Sequence, residues 1–99
     1  MIGKSEPKRE KIWTVEFDDR ARRELRKLDS TIQMRILRYL RERLAGSEDP
    51  RRFGKPLRRN MAGLRRYRIE DYRLICRLED DRVVVLVLEI GHRIDVYED

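Results

Sequence analysis

Three short segments in the last third of the chain have strand-like patterns, and acidic pairs separate them. The segments are residues 64–69, 72–79 and 82–90, with Glu70-Asp71 and Asp80-Asp81 between them. Such separators between short segments are typical of tight turns in an antiparallel sheet. Residues 83–88 form a continuous apolar run, which predicts a central strand covered on both faces.

The first half of the chain predicts one strand and two helices. Residues 12–17 are rich in β-branched and aromatic side chains, as strands are. Two stretches with apolar residues at helical spacing follow. Asp18 and Asp19 offer an N-cap to the first helix, and Asp29-Ser30-Thr31 ends it and caps the second. The apolar positions are Phe17, Ala21, Leu25 and Leu28, then Ile32, Ile36, Leu37, Tyr39, Leu40 and Leu44.

These elements predict an α+β fold with the order β-α-α-β-β-β. Helices joined by about three residues form a hairpin, which we expect to pack on one face of a small, mainly antiparallel sheet. Residues 45–63 break the pattern with Gly and Pro, and so long a loop is functional or contains a further short element. Residues 1–11 are predicted to be a flexible tail, and residues 12–99 a single domain.

Composition excludes several kinds of protein. The single cysteine and single histidine exclude an intramolecular disulfide and a Cys-based zinc site, and we expect no metal or other cofactor. The chain has neither an apolar run of about 18 residues nor the apolar core of a signal peptide, so we expect no membrane partner and a cytoplasmic location.

One segment carries the net positive charge of the chain. Between Arg51 and Arg77 there are ten Arg or Lys residues and two acids, whereas the whole chain has a net charge of +6. A surface of one sign is typical of proteins that bind strongly anionic partners, with nucleic acid as the first candidate. The alternative is a solvated edge in which acids from other segments lie between the arginines.

Strand alternation predicts which side chains share a face. Arg66 and Arg68 point to one side, and Arg65, Tyr67 and Ile69 to the other. In the next strand we expect the helices to cover Leu74, Cys76 and Leu78, which leaves Arg73 and Arg77 beside Arg66 and Arg68 on the open face. Four neighbouring guanidinium groups repel one another, so this arrangement costs stability.

Two motifs that flank the apolar strand resemble one known family. They are GLRRYRIEDYRL at residues 63–74 and IGHRIDVY at residues 90–97. With the element order, they resemble the RelE/ParE toxin superfamily, specifically its RelE-type ribonuclease branch, over about residues 12–97. The resemblance implies the toxin of a type II toxin–antitoxin system, which cleaves mRNA in the ribosomal A site and inhibits translation.

The resemblance also implies the partners. They are a cognate antitoxin, the ribosome with its rRNA, and mRNA. It is consistent with a hetero-oligomeric toxin–antitoxin complex that binds operator DNA through the antitoxin.

Site residues follow from the resemblance by position. Arg73, Arg93 and Tyr97 match the catalytic set, and His92 lies at a position that varies in the family. Arg66 and Arg68 lie where a well-known member has two lysines; since arginine does not lose its proton in proteins, neither can act as a general base. The basic residues expected to bind the backbone of mRNA or rRNA are Arg51, Arg52, Lys55, Arg58, Arg59, Arg65 and Arg77.

Metal-free cleavage requires activation of the 2′-OH, stabilisation of the phosphorane-like transition state and protonation of the leaving 5′-oxygen. Arg73 and Arg93 suit the second task, because bidentate contacts to phosphate oxygens strengthen as charge develops. Tyr97 is the candidate general base, since neighbouring guanidinium groups lower the pKa of a phenol; alternatively, it only positions the nucleotide. His92 is a candidate general acid if it points inward.

Two other functions stay open. A ParE-like toxin would inhibit DNA gyrase without cleaving RNA, and the Arg73, Arg93 and Tyr97 set argues against it. A non-catalytic RNA-binding module would need aromatic side chains on the basic face, where bases could stack. Tyr67 alternates to the other face, which makes such a platform unconvincing.

Overall fold

The computed structural model describes residues 12–57 and 63–92 of the chain. The predicted tail at residues 1–11 lies outside the described residues, as do residues 58–62 and 93–99. Strands and helices have these bounds: β1 Thr14–Phe17, α1 Asp19–Arg26, α2 Ser30–Tyr39, β2 Lys55–Pro56, β3 Leu64–Ile69, β4 Tyr72–Glu79 and β5 Val84–His92. A π-helical turn at Leu40–Leu44 extends α2, and a 3₁₀ turn covers Pro50–Arg52.

The five strands form one sheet in the order β1-β5-β4-β3-β2. Strands β2 to β5 pair with antiparallel neighbours, and β1 lies parallel to β5 at the edge. The α+β prediction is therefore confirmed. The predicted long loop contains two short elements, the 3₁₀ turn and β2, which match the expectation of a further element there.

Both helices begin where the sequence predicts. Asp18 caps α1 by accepting a hydrogen bond from the Ala21 amide at 3.0 Å, and Asp29 caps α2 by accepting one from the Thr31 amide at 2.8 Å. Such caps satisfy amide groups that a helix N-terminus leaves without a partner. None of the helices within the described ranges has the length and apolar character that a membrane crossing requires.

The main core lies between the two helices and one face of the sheet. Its fully enclosed side chains come from both layers: Ala21, Ile36, Leu40, Leu44, Tyr67, Leu74, Cys76, Val85 and Val87. A β-bulge at Leu88 lets Val87 and Ile90, three positions apart, both pack into this core.

One prediction about β5 is wrong. The strand lies inside the sheet, but helices cover only one of its faces within the described ranges. On the other face, Leu86 and Leu88 stay half-buried, and a small separate cluster of Leu57, Leu64 and Ile75 lies nearby. One face of the apolar run packs into the main core, and the other face lies beside a thin apolar patch. Periodicity alone cannot distinguish these two environments.

The segment before β2 is tied to the sheet at several points. Tyr67 is fully buried and its hydroxyl donates to the Pro50 carbonyl at 3.0 Å. The Arg51 guanidinium holds both carboxylate oxygens of Asp80, at 2.9 and 2.6 Å. These contacts fix the entry to β2 against β3, where most of the predicted basic residues lie.

Candidate nucleic-acid interface and active site

Three arginines share the face of β3 and β4 that the helices leave open. Arg68 lies directly opposite Arg73 in the β3–β4 register, and Arg66 lies opposite Ile75. Their neighbours Tyr67 and Leu74 point into the core, as alternation requires. The register therefore confirms the predicted separation of basic and apolar side chains.

These three arginines line one groove. Its volume is about 240 Å³, and its lining consists of Tyr39, Gly54, Lys55, Arg66, Arg68 and Arg73. It lies where β2 ends beside β3, so side chains from the sheet and from the end of α2 meet there. The groove is large enough for a phosphate group and part of its nucleotide.

Gly54 allows the chain to turn into β2 close to β3. Its φ of +72° lies in the left-handed region, which favours glycine. A Cβ atom at this position would lie 2.6 Å from the Arg66 carbonyl oxygen and 2.7 Å from the Tyr67 ring. Any other residue would therefore push the segment at the rim of the groove away from the strand that carries Arg66.

Part of the positive charge in the groove has no acidic partner among the described residues. Within residues 12–57 and 63–92, no ion pair joins Arg66, Arg68 or Lys55 to a carboxylate, and the Nη1 atom of Arg66 is buried without a hydrogen-bond acceptor. Outside the groove, Arg35 pairs with Glu70 at 2.7 Å and Arg82 with Glu16 at 3.1 Å. A buried donor without an acceptor costs free energy, so the groove favours an anionic ligand.

Arg73 is the most enclosed of the three, with 8% of its surface exposed. Its strand neighbour across β5 is Gly91, which has no side chain and leaves room for a long one. Because Arg73 is enclosed and shares the groove with Arg66 and Arg68, its planar guanidinium group is placed where it can contact an oxyanion.

Comparison with known proteins identifies the family. A model described as the ParE toxin of type II toxin–antitoxin systems, parDE, matches residues 15–97. Toxin RelG of Mycobacterium tuberculosis is 40% identical over 85 residues, which cover 86% of this chain and 95% of that protein. The mRNA interferase toxin RelE of Escherichia coli is 35% identical over 83 residues, which cover 82% and 83%. The chain belongs to the RelE/ParE toxin superfamily.

Solved structures agree with this family. The toxin–antitoxin complex RelBE2 from Mycobacterium tuberculosis contains a chain with a TM-score of 0.75 and 38% identity; the match covers 83% of this chain and 92% of that one. The resemblance predicted from the two motifs is therefore confirmed. The protein is a type II toxin of this superfamily.

Four predicted site residues lie outside the described residues. They are Arg58 and Arg59 before β3, and Arg93 and Tyr97 after β5. The proposed roles of Arg93 and Tyr97 rest on the sequence motif at residues 90–97, and those of Arg58 and Arg59 on the basic charge of their segment. In the described chain, Arg66, Arg68 and Arg73 come together as predicted.

The structure does not bring His92 into the groove. His92 pairs with Tyr72 in the β4–β5 register, one position from the Gly91–Arg73 pair, so it points to the opposite face of the sheet. Its ring packs edge-to-face on Tyr72, with centroids 5.5 Å apart. This geometry does not support His92 as the general acid beside Arg73.

The other basic residues have several different environments. Arg65 lies on the core side and donates to the carbonyls of Arg51, Phe53 and Gly54 at 3.0 to 3.2 Å, so it holds the loop beside the groove. Arg77 lies opposite Leu64 on the open face, separated from Arg73 by Ile75, and its Nη1 atom is 3.8 Å from Glu79. Arg77 therefore does not belong to the cluster of arginines that line the groove.

The segment before β3 contributes two more exposed basic residues besides Arg51. Arg52 ends the 3₁₀ turn, and Lys55 begins β2 and lines the groove. Both stay available for contacts with a nucleic-acid backbone, whereas Arg51 is held by Asp80.

Sequence reasoning missed Tyr39. Its position in the helical pattern is typical of a core residue, and its ring does contact the core. However, it also lines the groove, because it ends α2 beside the edge of β3. Nothing in the local pattern distinguishes it from the apolar residues around it.

Proposed function

We propose that this toxin is an endoribonuclease that cleaves mRNA in the ribosomal A site and so inhibits translation. The observation that carries the proposal is the groove in which Arg66, Arg68 and Arg73 meet. It is supported by the relative whose name is mRNA interferase toxin RelE. The proposed target places the action of the toxin in the cytoplasm.

The groove can stabilise the transition state of metal-free RNA cleavage. Attack of the 2′-OH on the adjacent phosphorus adds negative charge to the nonbridging oxygens. Preorganised guanidinium groups bind those oxygens more strongly as the charge develops. Arg73 suits this role best, because its enclosure lowers the local dielectric constant and strengthens the interaction.

Proton transfer requires other groups, since an arginine keeps its proton. We assign the general base to Tyr97 and a second phosphate contact to Arg93, on the strength of the motif that contains them. The ribosome would hold the mRNA for in-line attack, which supplies part of the rate enhancement through orientation.

We also propose that a cognate antitoxin neutralises the toxin. The support is the RelBE2 neighbour, which was solved as a toxin–antitoxin complex. An acidic antitoxin segment over the groove would relieve repulsion between Arg66 and Arg68, and its binding would stabilise the folded toxin by mass action. The same assembly would be hetero-oligomeric and would bind operator DNA through the antitoxin.

A second candidate function is inhibition of DNA gyrase. It is favoured by the family model, whose description names ParE. A gyrase inhibitor would not require three arginines around a phosphate-sized groove, so we rank it below RNA cleavage.

The experiment that tests both functions is primer extension on an mRNA translated in vitro, with and without ribosomes, beside a gyrase supercoiling assay. We expect new 5′ ends only with ribosomes. Arg73→Ala should reduce them by about a hundredfold or more, which is typical when one transition-state donor is removed. Arg82→Ala, which removes an exposed, ion-paired arginine, is the matched control.

The results separate the alternatives. Much weaker cleavage in Tyr97→Phe supports its role as proton carrier, whereas unchanged cleavage reduces it to positioning. Inhibition of gyrase at stoichiometric protein, without RNA cleavage, would replace the proposed activity.

A further inference from the structure

One wall of the basic groove is a tyrosine whose ring packs on the core while its side chain also faces the groove. Tyr39 lines the groove together with Arg66, Arg68 and Arg73, although it comes from α2 and they come from the sheet. It is the only aromatic residue among the described residues that line this groove. A phenol beside several guanidinium groups adds an uncharged donor to a set of charged ones.

The ring of Tyr39 is held in place from two sides. It packs edge-to-face on the buried Tyr67, with centroids 6.4 Å apart and an interplanar angle of 60°. The Arg43 guanidinium lies 5.8 Å from its centroid. Tyr39 is also the last residue before the π-helical turn, and such turns occur frequently at functional sites. Its side chain is therefore ordered before any ligand binds.

The hydroxyl groups of Tyr39 and Tyr67 differ in their hydrogen bonds. The Tyr67 hydroxyl donates to the Pro50 carbonyl, whereas within the described ranges the Tyr39 hydroxyl makes no hydrogen bond. A buried tyrosine hydroxyl such as that of Tyr67 usually has a partner in the protein, whereas the half-buried Tyr39 can take a ligand as its partner. Burial raises the pKa of Tyr39 above its ordinary value, with Arg43 opposing the effect, so near neutral pH the group is a phenol that can donate.

We propose that the Tyr39 hydroxyl donates a hydrogen bond to a phosphate oxygen of the RNA strand that the three arginines bind. The inference rests on the proposed function of the groove. The arginines supply charge, and Tyr39 supplies a directional donor from the end of α2, which fixes the orientation of the phosphate in the groove. Tyr39 is then a substrate-binding residue, separate from the proton carrier at Tyr97.

The test is binding of a fluorescent 2′-O-methyl RNA oligonucleotide, which cannot be cleaved by 2′-OH attack, measured by anisotropy at several salt concentrations. Tyr39→Phe keeps the ring and removes the hydroxyl, so we expect about tenfold weaker binding, typical of a lost hydrogen bond to a charged group. Because no charge is removed, the slope of log affinity against log salt should not change.

Two variants serve as references. Arg66→Gln removes a phosphate contact, so it should weaken binding and reduce the salt slope by about 0.7. Tyr67→Phe removes a matched hydroxyl that already has a protein partner, so it should lower the melting temperature. Tyr39→Phe should leave the melting temperature unchanged.

The outcomes distinguish the role of the groove in binding RNA from the role of Tyr39 within it. If wild-type protein does not bind the free oligonucleotide, or Arg66→Gln binds as wild type does, the inference about Tyr39 fails, and primer extension with Arg73→Ala decides the proposed function separately. If Arg66→Gln weakens binding and Tyr39→Phe does not, only the role of Tyr39 is overturned. A melting temperature lowered in Tyr39→Phe with affinity intact would make Tyr39 structural.

Discussion

The two faces of the β3–β4 hairpin are built from alternate residues of the same strands and have opposite properties. On one face, Tyr67, Leu74 and Cys76 have no exposed surface and form part of the main core. On the other face, Arg66 and Arg68 have no carboxylate partner among the described residues, and Arg73 lies directly opposite Arg68. A shift of one residue in register would exchange the two sets.

This difference separates what stabilises the fold from what gives it a function. Several arginines elsewhere in the described chain have acidic partners, as Arg35 does with Glu70 and Arg51 with Asp80. In the groove, the Nη1 atom of Arg66 is buried without an acceptor among the described residues, and Arg68 lies directly across from Arg73. Both arrangements cost free energy, which the binding of an anionic ligand would offset.

The largest expected effect tests the core face. Tyr67→Ala should lower the free energy of unfolding by about 3 to 5 kcal/mol, because it leaves a cavity among fully buried side chains and removes the hydrogen bond to Pro50. Urea denaturation followed by circular dichroism would measure it. In the same assay, Arg66→Ala on the opposite face should cost little or nothing. A loss below about 1 kcal/mol in Tyr67→Ala would contradict the assignment of this face as the core.

Much of this contrast could be predicted from the sequence. The acidic pairs mark the two turns, the caps at Asp18 and Asp29 mark the helices, and alternation assigns Arg66 and Tyr67 to different faces. These signals are local, since they depend on neighbours along the chain. The motif around Arg73 indicates the RelE/ParE superfamily, to which the chain belongs.

The features of the fold and the groove that local sequence signals do not predict depend on contacts between residues distant in sequence. β2 has two residues, and its position is set by Gly54 against Arg66 and by the Tyr67 hydroxyl bond to Pro50. The same packing brings Tyr39 to the groove and holds Arg65 against the loop. Periodicity also predicts that both faces of β5 are covered, which is wrong, because an apolar run does not show what packs on each side.

A smaller expected effect is the dependence of stability on pH that comes from the buried Cys76 thiol on the core face. Burial raises the pKa of the Cys76 thiol above its ordinary value, so the folded protein keeps the thiol protonated where the unfolded chain, with a pKa near 8.5, ionises. A raised folded pKa gives stability that is fully present below the unfolded pKa and is lost as pH rises towards the folded one. Between pH 9 and 10, this residue should lower the unfolding free energy by about 1.4 kcal/mol per pH unit.

The matched variant is Cys76→Ala, compared with the wild type by urea denaturation at pH 7, 9 and 10 under reducing conditions. The variant should be less stable at pH 7, because a buried side chain has been shortened. Its disadvantage should shrink as the pH rises. Parallel curves for the two proteins would show that the thiol ionises equally in both states.

The smallest expected effect concerns an arginine on the open face, and there the substitution should raise the unfolding free energy instead of lowering it. Arg68 and Arg73 are like charges directly across the β3–β4 pair, an arrangement that is typically destabilising by about 0.2 to 1 kcal/mol. Arg68→Gln should therefore raise the unfolding free energy by an amount in that range, and the gain should shrink in 1 M salt, which screens the wild-type repulsion. Urea titrations at low and high salt would measure it.

Arg35→Gln is the control for this last comparison, because it removes an arginine that has a partner. It breaks the bidentate contact to Glu70 and should cost stability, or leave it unchanged, where Arg68→Gln gains. If both variants lost stability alike, the groove arginines would be neutralised within the fold. The contrast between the faces would then concern burial alone, and an anionic ligand would no longer be needed to account for unpaired charge at Arg66 and Arg68.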